Sequence, residues 1–128
     1  MLCFPHAKIN IGLNVTGKRP DGFHNIESIF YPVPVKDALE AIPSSTLKFE
    51  SGGGQLSPDP EANTIMQAYE LLKQYRSLEP VHFYIYKNIP QGAGLGGGSA
   101  DGTFALRLLN DLLELDVSEI ELHRISQE

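Results

Sequence analysis

The run Pro90-Gln91-Gly92-Ala93-Gly94-Leu95-Gly96-Gly97-Gly98-Ser99-Ala100-Asp101 places five glycines within seven residues, after an apolar strand-like run and before a helix-like one. Glycine forgoes side-chain packing and loses the most backbone freedom on folding, so such a loop points to positive φ angles or to something that approaches the backbone closely. At the start of a helix it would aim unpaired N–H groups and the positive end of the helix dipole at one point, which suits an anion such as phosphate. An ordinary turn needs one or two glycines. A second group of polar residues lies in the segment 6–16, where Lys8, Asn10 and Asn14 share a face and Gly12 clears space between them. A third is the set Lys18, Arg19, Asp21 and His24 around the turn Pro20-Asp21-Gly22. The histidine follows directly on that turn, in the kind of segment that often carries function.

The elements that must hold these residues can be read from periodicity. Residues 6–16 alternate, with Ile9, Ile11, Leu13 and Val15 on one face, as in a half-buried strand. Ile26 to Val35 reads as its hairpin partner, irregular at Pro32 and Pro34. Asp37 to Ile42 and Thr46 to Glu50 read as short strands, and Val81 to Lys87 as another. Ser51-Gly52-Gly53-Gly54-Gln55 and Ser57-Pro58-Asp59-Pro60 read as a flexible connector. Asn63 can cap a helix from Thr64 to about Arg76, whose stripe of Ile65, Ala68, Tyr69, Leu72 and Tyr75 suits core packing. A helix over Ser99 to Leu113 buries Phe104, Ala105, Leu108, Leu109 and Leu112, and Ser118 to Glu121 form a capping box for one more. Strands and helices do not alternate regularly, so an α+β fold is expected, a mainly antiparallel sheet with helices on one side.

Bulk properties narrow the function. A chain of 128 residues suffices for one core. Its net charge of −6 is unsuited to nucleic acid or anionic lipid, so a polyanionic ligand must be met by local cations and backbone dipoles. The single cysteine, Cys3, excludes an internal disulfide and a cysteine-based zinc cluster. Without a signal peptide or a membrane-length apolar run, a cytoplasmic location is expected.

Three phosphate loops compete for the glycine run. The G-x-x-x-x-G-K-[ST] loop requires a lysine before the hydroxyl residue, and Gly98 stands there. The G-x-G-x-x-G dinucleotide fingerprint matches at Gly92, Gly94 and Gly97, but no second strand follows the helix. The third is the loop Pro-x-x-x-Gly-Leu-Gly-[Gly/Ser]-[Gly/Ser]-Ser-[Ser/Ala], and Pro90 to Ala100 matches it throughout. On this loop the chain resembles the GHMP kinases, small-molecule kinases of the galactose, homoserine, mevalonate and phosphomevalonate type. Ala7-Lys8-Ile9-Asn10 and Thr16-Gly17-Lys18-Arg19-Pro20-Asp21-Gly22-Phe23-His24 narrow the resemblance to members acting on a cytidine-diphosphate-linked methylerythritol. It runs from residue 6 to about 113.

The resemblance implies a fold like the second domain of ribosomal protein S5, ATP and Mg²⁺ as cofactors, and transfer of the γ-phosphoryl group to the 2-hydroxyl of the methylerythritol unit. It implies that Lys8 is the catalytic lysine and that Asn10, Phe23 and His24 bind the acceptor. Phe23 stands where the family usually has Tyr; it keeps a face for stacking on cytosine and lacks the phenol hydroxyl. Pro90, Gly92, Gly94, Leu95, Gly96, Gly97, Gly98, Ser99 and Ala100 would hold ATP, with the Ser99 hydroxyl on phosphate or Mg²⁺. Asp101 matches an Asn/Asp position of the family loop and not its catalytic aspartate. That aspartate belongs to a Gly-[Ala/Ser]-Asp-[Val/Ile]-Pro motif, which residues 1–128 do not contain. The chain therefore reads as a GHMP N-terminal, ATP-binding domain that is incomplete at its C-terminal end and lacks the second domain, with little activity of its own. Ala100 and Gly102 replace a commoner Ser and Ala, and Gly102 is expected to weaken the first helical turn by up to ~1 kcal/mol. Exposed core surface would leave homodimerisation open. Another GHMP kinase, or a nucleotide-binding module without catalysis, are the alternatives to the same reading.

Overall fold

The computed structural model describes residues 1–54, 56 and 59–127; Gln55, Ser57 and Pro58 of the expected connector lie outside the described residues, as does Glu128. In chain order the elements are β1 (Leu2–Cys3), β2 (His6–Lys18), β3 (His24–Lys36), β4 (Ala38–Pro43), β5 (Lys48–Gly52), a single 3₁₀ turn (Pro60–Ala62), α1 (Thr64–Lys73), β6 (Val81–Tyr86), α2 (Gly97–Leu112) and α3 (Glu119–Ile125). One sheet has the order β1-β4-β6-β5, and β2 and β3 form a separate two-stranded sheet. All pairings are antiparallel except β5 with β6. This is the α+β, mainly antiparallel architecture expected from the sequence.

Period two decides which side of the four-stranded sheet carries the core. Leu39 and Ala41 of β4 and Val81, Phe83 and Ile85 of β6 are buried against Ile65, Ala68, Tyr69 and Leu72 of α1 and Ala105, Leu108 and Leu109 of α2. Tyr69 meets the Phe83 ring edge-on at 6.4 Å, so the aromatic stripe of α1 is core. Asn63 caps α1 by accepting from Ile65 N–H (3.0 Å), and Ser118 caps α3 by accepting from Glu121 N–H (3.2 Å).

Two expectations are corrected here. The apolar face of β2 is not half-buried: Ile9, Ile11, Leu13 and Val15 are exposed, Leu13 at 61%. Alternation reports which residues share a face, and this one is left largely open to solvent. The glycines before Gln55 are also more than a connector. Gly52 O accepts from Lys87 N–H at 2.8 Å, and a Cβ on Gly53 (φ +78°) would fall 2.2 Å from Lys87 O. Gly53→Ala is expected to destabilise the fold by about 2–3 kcal/mol, from left-handed strain plus overlap with a backbone oxygen that cannot turn away. Chemical denaturation would measure it. Gly102 has a similar purpose, since a Cβ there would stand 3.2 Å from both Cβ and O of Thr64, at the crossing of α1 and α2. The close packing of the helices offsets its poor helix propensity.

Candidate active site at the glycine loop

α2 begins two residues earlier than expected, at Gly97, with Gly96 as its left-handed cap (φ +70°). The backbone N–H groups of Gly97, Gly98 and Ser99 donate to no oxygen of the described residues, as is usual in a first helical turn. These residues line a cavity of about 460 Å³, together with Pro90 to Gly96, Asp101, Lys87, Asn63 and Leu56. Donors at a helix N-terminus with no protein acceptor suit an anion.

Lys8 is at the mouth of this loop. Its backbone N–H donates to Leu95 O (2.9 Å), and its ammonium donates to Gly94 O (3.2 Å) and to Asn10 Oδ1 (2.6 Å). The Phe30 ring lies 5.4 Å from that ammonium. β2 therefore brings Lys8 and Asn10 to the loop together, because residues two apart on a strand share a face. The fit is close: a Cβ on Gly96 would stand 2.9 Å from Lys8 Cε and 3.1 Å from Cγ. Gly96→Ala must both strain the cap and displace the lysine. It is expected to destabilise the fold by about 1–2 kcal/mol, the cost of a left-handed non-glycine residue, measured by chemical denaturation.

Ser99 is exposed in the first turn of α2, and its hydroxyl makes no hydrogen bond among the described residues, so it is available to an oxyanion or a hard cation. Among the described residues no cluster of His, Cys, Asp and Glu could hold a metal ion.

Phe23 and His24 lie elsewhere. Phe23 is 72% exposed at the hairpin tip, and His24 opens β3 opposite Lys18. Lys18 is ten residues along β2 from Lys8, a path of up to ~33 Å at ~3.3 Å per residue. Register shifts between His6 and Lys8, Ile11 and Leu13, and Val15 and Gly17 bend that path. The structure joins Lys8, Asn10 and the loop, and leaves Phe23 and His24 at the far end of the arm.

Behind the loop lies a group that the sequence reading did not identify. The Lys87 ammonium, 4% exposed, is hydrogen-bonded to Asp37 Oδ2 and, at 2.6 Å, to Asp101 Oδ2; the two carboxylates are 0% and 2% exposed. Asp37 Oδ1 also accepts from Asn88 N–H (2.6 Å) and Ile89 N–H (2.8 Å). Burial alone would raise the Asp37 pKa, but the Ile89 N–H, Lys87 and the Asn88 N–H together hold it below the usual carboxylate range. For Asp101, burial wins over Lys87 and, with the nearby Asp37 charge, pushes it up to about 6; Asp101 Oδ1 is buried without a hydrogen bond. Burial would lower Lys87, yet the two carboxylates keep it above the ordinary lysine value. A signal was present: by period two, Lys87 falls on the core face after Val81, Phe83 and Ile85, and a charge there requires partners.

A four-stranded sheet under helices, with a glycine loop feeding the buried helix and a lysine strand across its mouth, defines the class. Residues 63–128 match the GHMP kinases N terminal domain, and the chain belongs to that family. It is 52% identical over 126 residues to the 4-diphosphocytidyl-2-C-methyl-D-erythritol kinase of Bacteroides fragilis, an alignment that covers 95% of this chain and 46% of that protein. A crystal structure of 4-(cytidine 5'-diphospho)-2C-methyl-D-erythritol kinase superposes with a TM-score of 0.79 at 33% identity, over 98% of this chain and 46% of the other. Streptococcus pneumoniae phosphomevalonate kinase, solved with phosphomevalonate and AMPPNP, shares the fold (TM-score 0.70, 16% identity, 98% and 41% covered). The chain thus spans about half the length of the curated relatives it matches. No helix among the described residues is long and apolar enough to cross a membrane.

Proposed function

We propose that this chain provides the nucleotide-binding part of an ATP-dependent kinase that phosphorylates the 2-hydroxyl of 4-diphosphocytidyl-2-C-methyl-D-erythritol. The observation that carries it is the Lys8 ammonium, 3.2 Å from a carbonyl of the glycine loop and 2.6 Å from Asn10. Phosphoryl transfer is mostly positioning and charge stabilisation, and a cation at the edge of a nest of backbone donors is suited to it.

In this reading Pro90 to Ala100 hold the phosphates of ATP through backbone N–H groups, and the Ser99 hydroxyl binds phosphate or Mg²⁺. Bound Mg²⁺ neutralises charge on the phosphates. Lys8 stabilises the transferring group, and Asn10 aims Lys8 and meets the acceptor. Phe23 stacks on cytosine and His24 hydrogen-bonds it, with the acceptor lying along the hairpin arm. Asp101 is not the base, because it is buried and held by Lys87. Residues 1–128 act as the N-terminal domain of the enzyme, in the cytoplasm, on a small molecule and neither nucleic acid nor membrane; the exposed apolar face of the arm supports a homodimer as well.

The test is turnover by the full-length gene product with ATP–Mg²⁺ and the cytidine acceptor. ADP and the 2-phosphate are expected, with no turnover of homoserine or mevalonate. His24→Ala should raise the acceptor KM by about tenfold and leave that for ATP within about twofold, the scale of one lost hydrogen bond to a polar ligand. Turnover of another GHMP acceptor instead would overturn the substrate assignment.

A further inference from the structure

The glycine loop has little of its own to keep it in shape. Among the described residues, its exposed stretch Gln91 to Gly94 takes one hydrogen bond from another element, from the Lys8 side chain to Gly94 O, and a further backbone bond reaches Leu95 O. Both of its ends, however, are tied to one buried ammonium. On the entry side, Asp37 takes the N–H groups of Asn88 and Ile89, the two residues before Pro90, and the same carboxylate binds Lys87. On the exit side, Asp101 in the first turn of α2 binds Lys87 at 2.6 Å. The ammonium lies just beneath α2's first residue, 3.5 Å from where a Cβ on Gly97 would be. A buried ion cluster contributes little net stability compared with apolar side chains of the same size. Its value here lies in direction: charged hydrogen bonds fix angles and distances that apolar packing leaves loose.

We propose that Lys87, Asp37 and Asp101 are positioning residues, one buried ammonium pinning both ends of the glycine loop in the shape that receives the phosphates of a nucleoside triphosphate. This rests on the reading of the loop as the ATP site. None of the three need touch the nucleotide. Asp101→Ala frees the exit end of the loop, and Asp101→Asn keeps an oxygen acceptor for Lys87 and so keeps the tie.

The experiment is calorimetry of ATP–Mg²⁺ with the full-length gene product, alongside amide hydrogen exchange. Asp101→Ala is expected to weaken ATP by about tenfold, the scale of a loosened binding constellation, and to speed exchange across residues 90–99 while leaving that of α1 unchanged. Asp101→Asn should return affinity to within about threefold of the parent. Parent-like affinity in Asp101→Ala, or exchange accelerated equally throughout the fold, would overturn the proposal by making the triad an ordinary core ion pair. If Asp101→Ala does not fold, Asp101→Ser is measured in the same way, and failure of both to fold overturns it too. Failure of the unsubstituted protein to bind ATP–Mg²⁺ would instead sink the reading of the site.

Discussion

Lys8→Met in the full-length gene product is expected to lower kcat by about 10³-fold, the usual cost of removing a donor aimed at developing charge, with ATP affinity changed by less than about threefold. The methionine fills the same channel beside Gly96, and the tie from the residue 8 backbone N–H to Leu95 O survives the substitution. What is lost is the ammonium held by Asn10 and Gly94. Lys8→Arg should not restore the rate, because the guanidinium is broader than the ammonium and the lysine stem packs close to Gly96, within the space a Cβ there would need. Single-turnover kinetics separate the chemical step from binding; an unchanged single-turnover rate in Lys8→Met would remove Lys8 from the chemistry.

The second large effect is on stability. Lys87→Met leaves Asp37 and Asp101 buried, adjacent and without their shared cation, and is expected to cost about 3–5 kcal/mol, as breaking a buried ion pair from one side does. Adding Asp101→Asn removes one of the stranded charges and should recover a substantial part of that loss. Urea denaturation of the single and double variants checks both statements. A single variant as stable as the parent would mean that the ammonium is not the cation holding these carboxylates in the core.

The parts of this structure that were legible in the sequence are those in which one residue type has one local meaning. Glycines at 92, 94 and 96 have positive φ, Asn63 and Ser118 cap their helices, and Val81, Phe83 and Ile85 face the core. What stayed hidden depends on contacts between distant residues. Lys8 meets Gly94 across 86 positions, and Lys87 meets Asp37 across 50. Gly53 and Gly102 read as flexibility and as a cost, yet each marks a place where two backbones come close. The alternation of β2 gave a face and could not say whether anything covers it.

The hairpin arm is held at its root, where Lys8 N–H bonds Leu95 O and His6 meets the Phe104 ring edge-on at 5.9 Å. Its other end carries Phe23 and His24. Such an arm is a lever: over ~30 Å of strand, a pivot of about 5° at the root carries the tip through roughly 2–3 Å. The glycine loop is part of the pivot, since the carbonyls it offers to Lys8 are also the arm's attachment. On the proposed reading of the loop as the ATP site, the contacts of Lys8 with Gly94 and Leu95 lie where small rotations of the arm are most amplified.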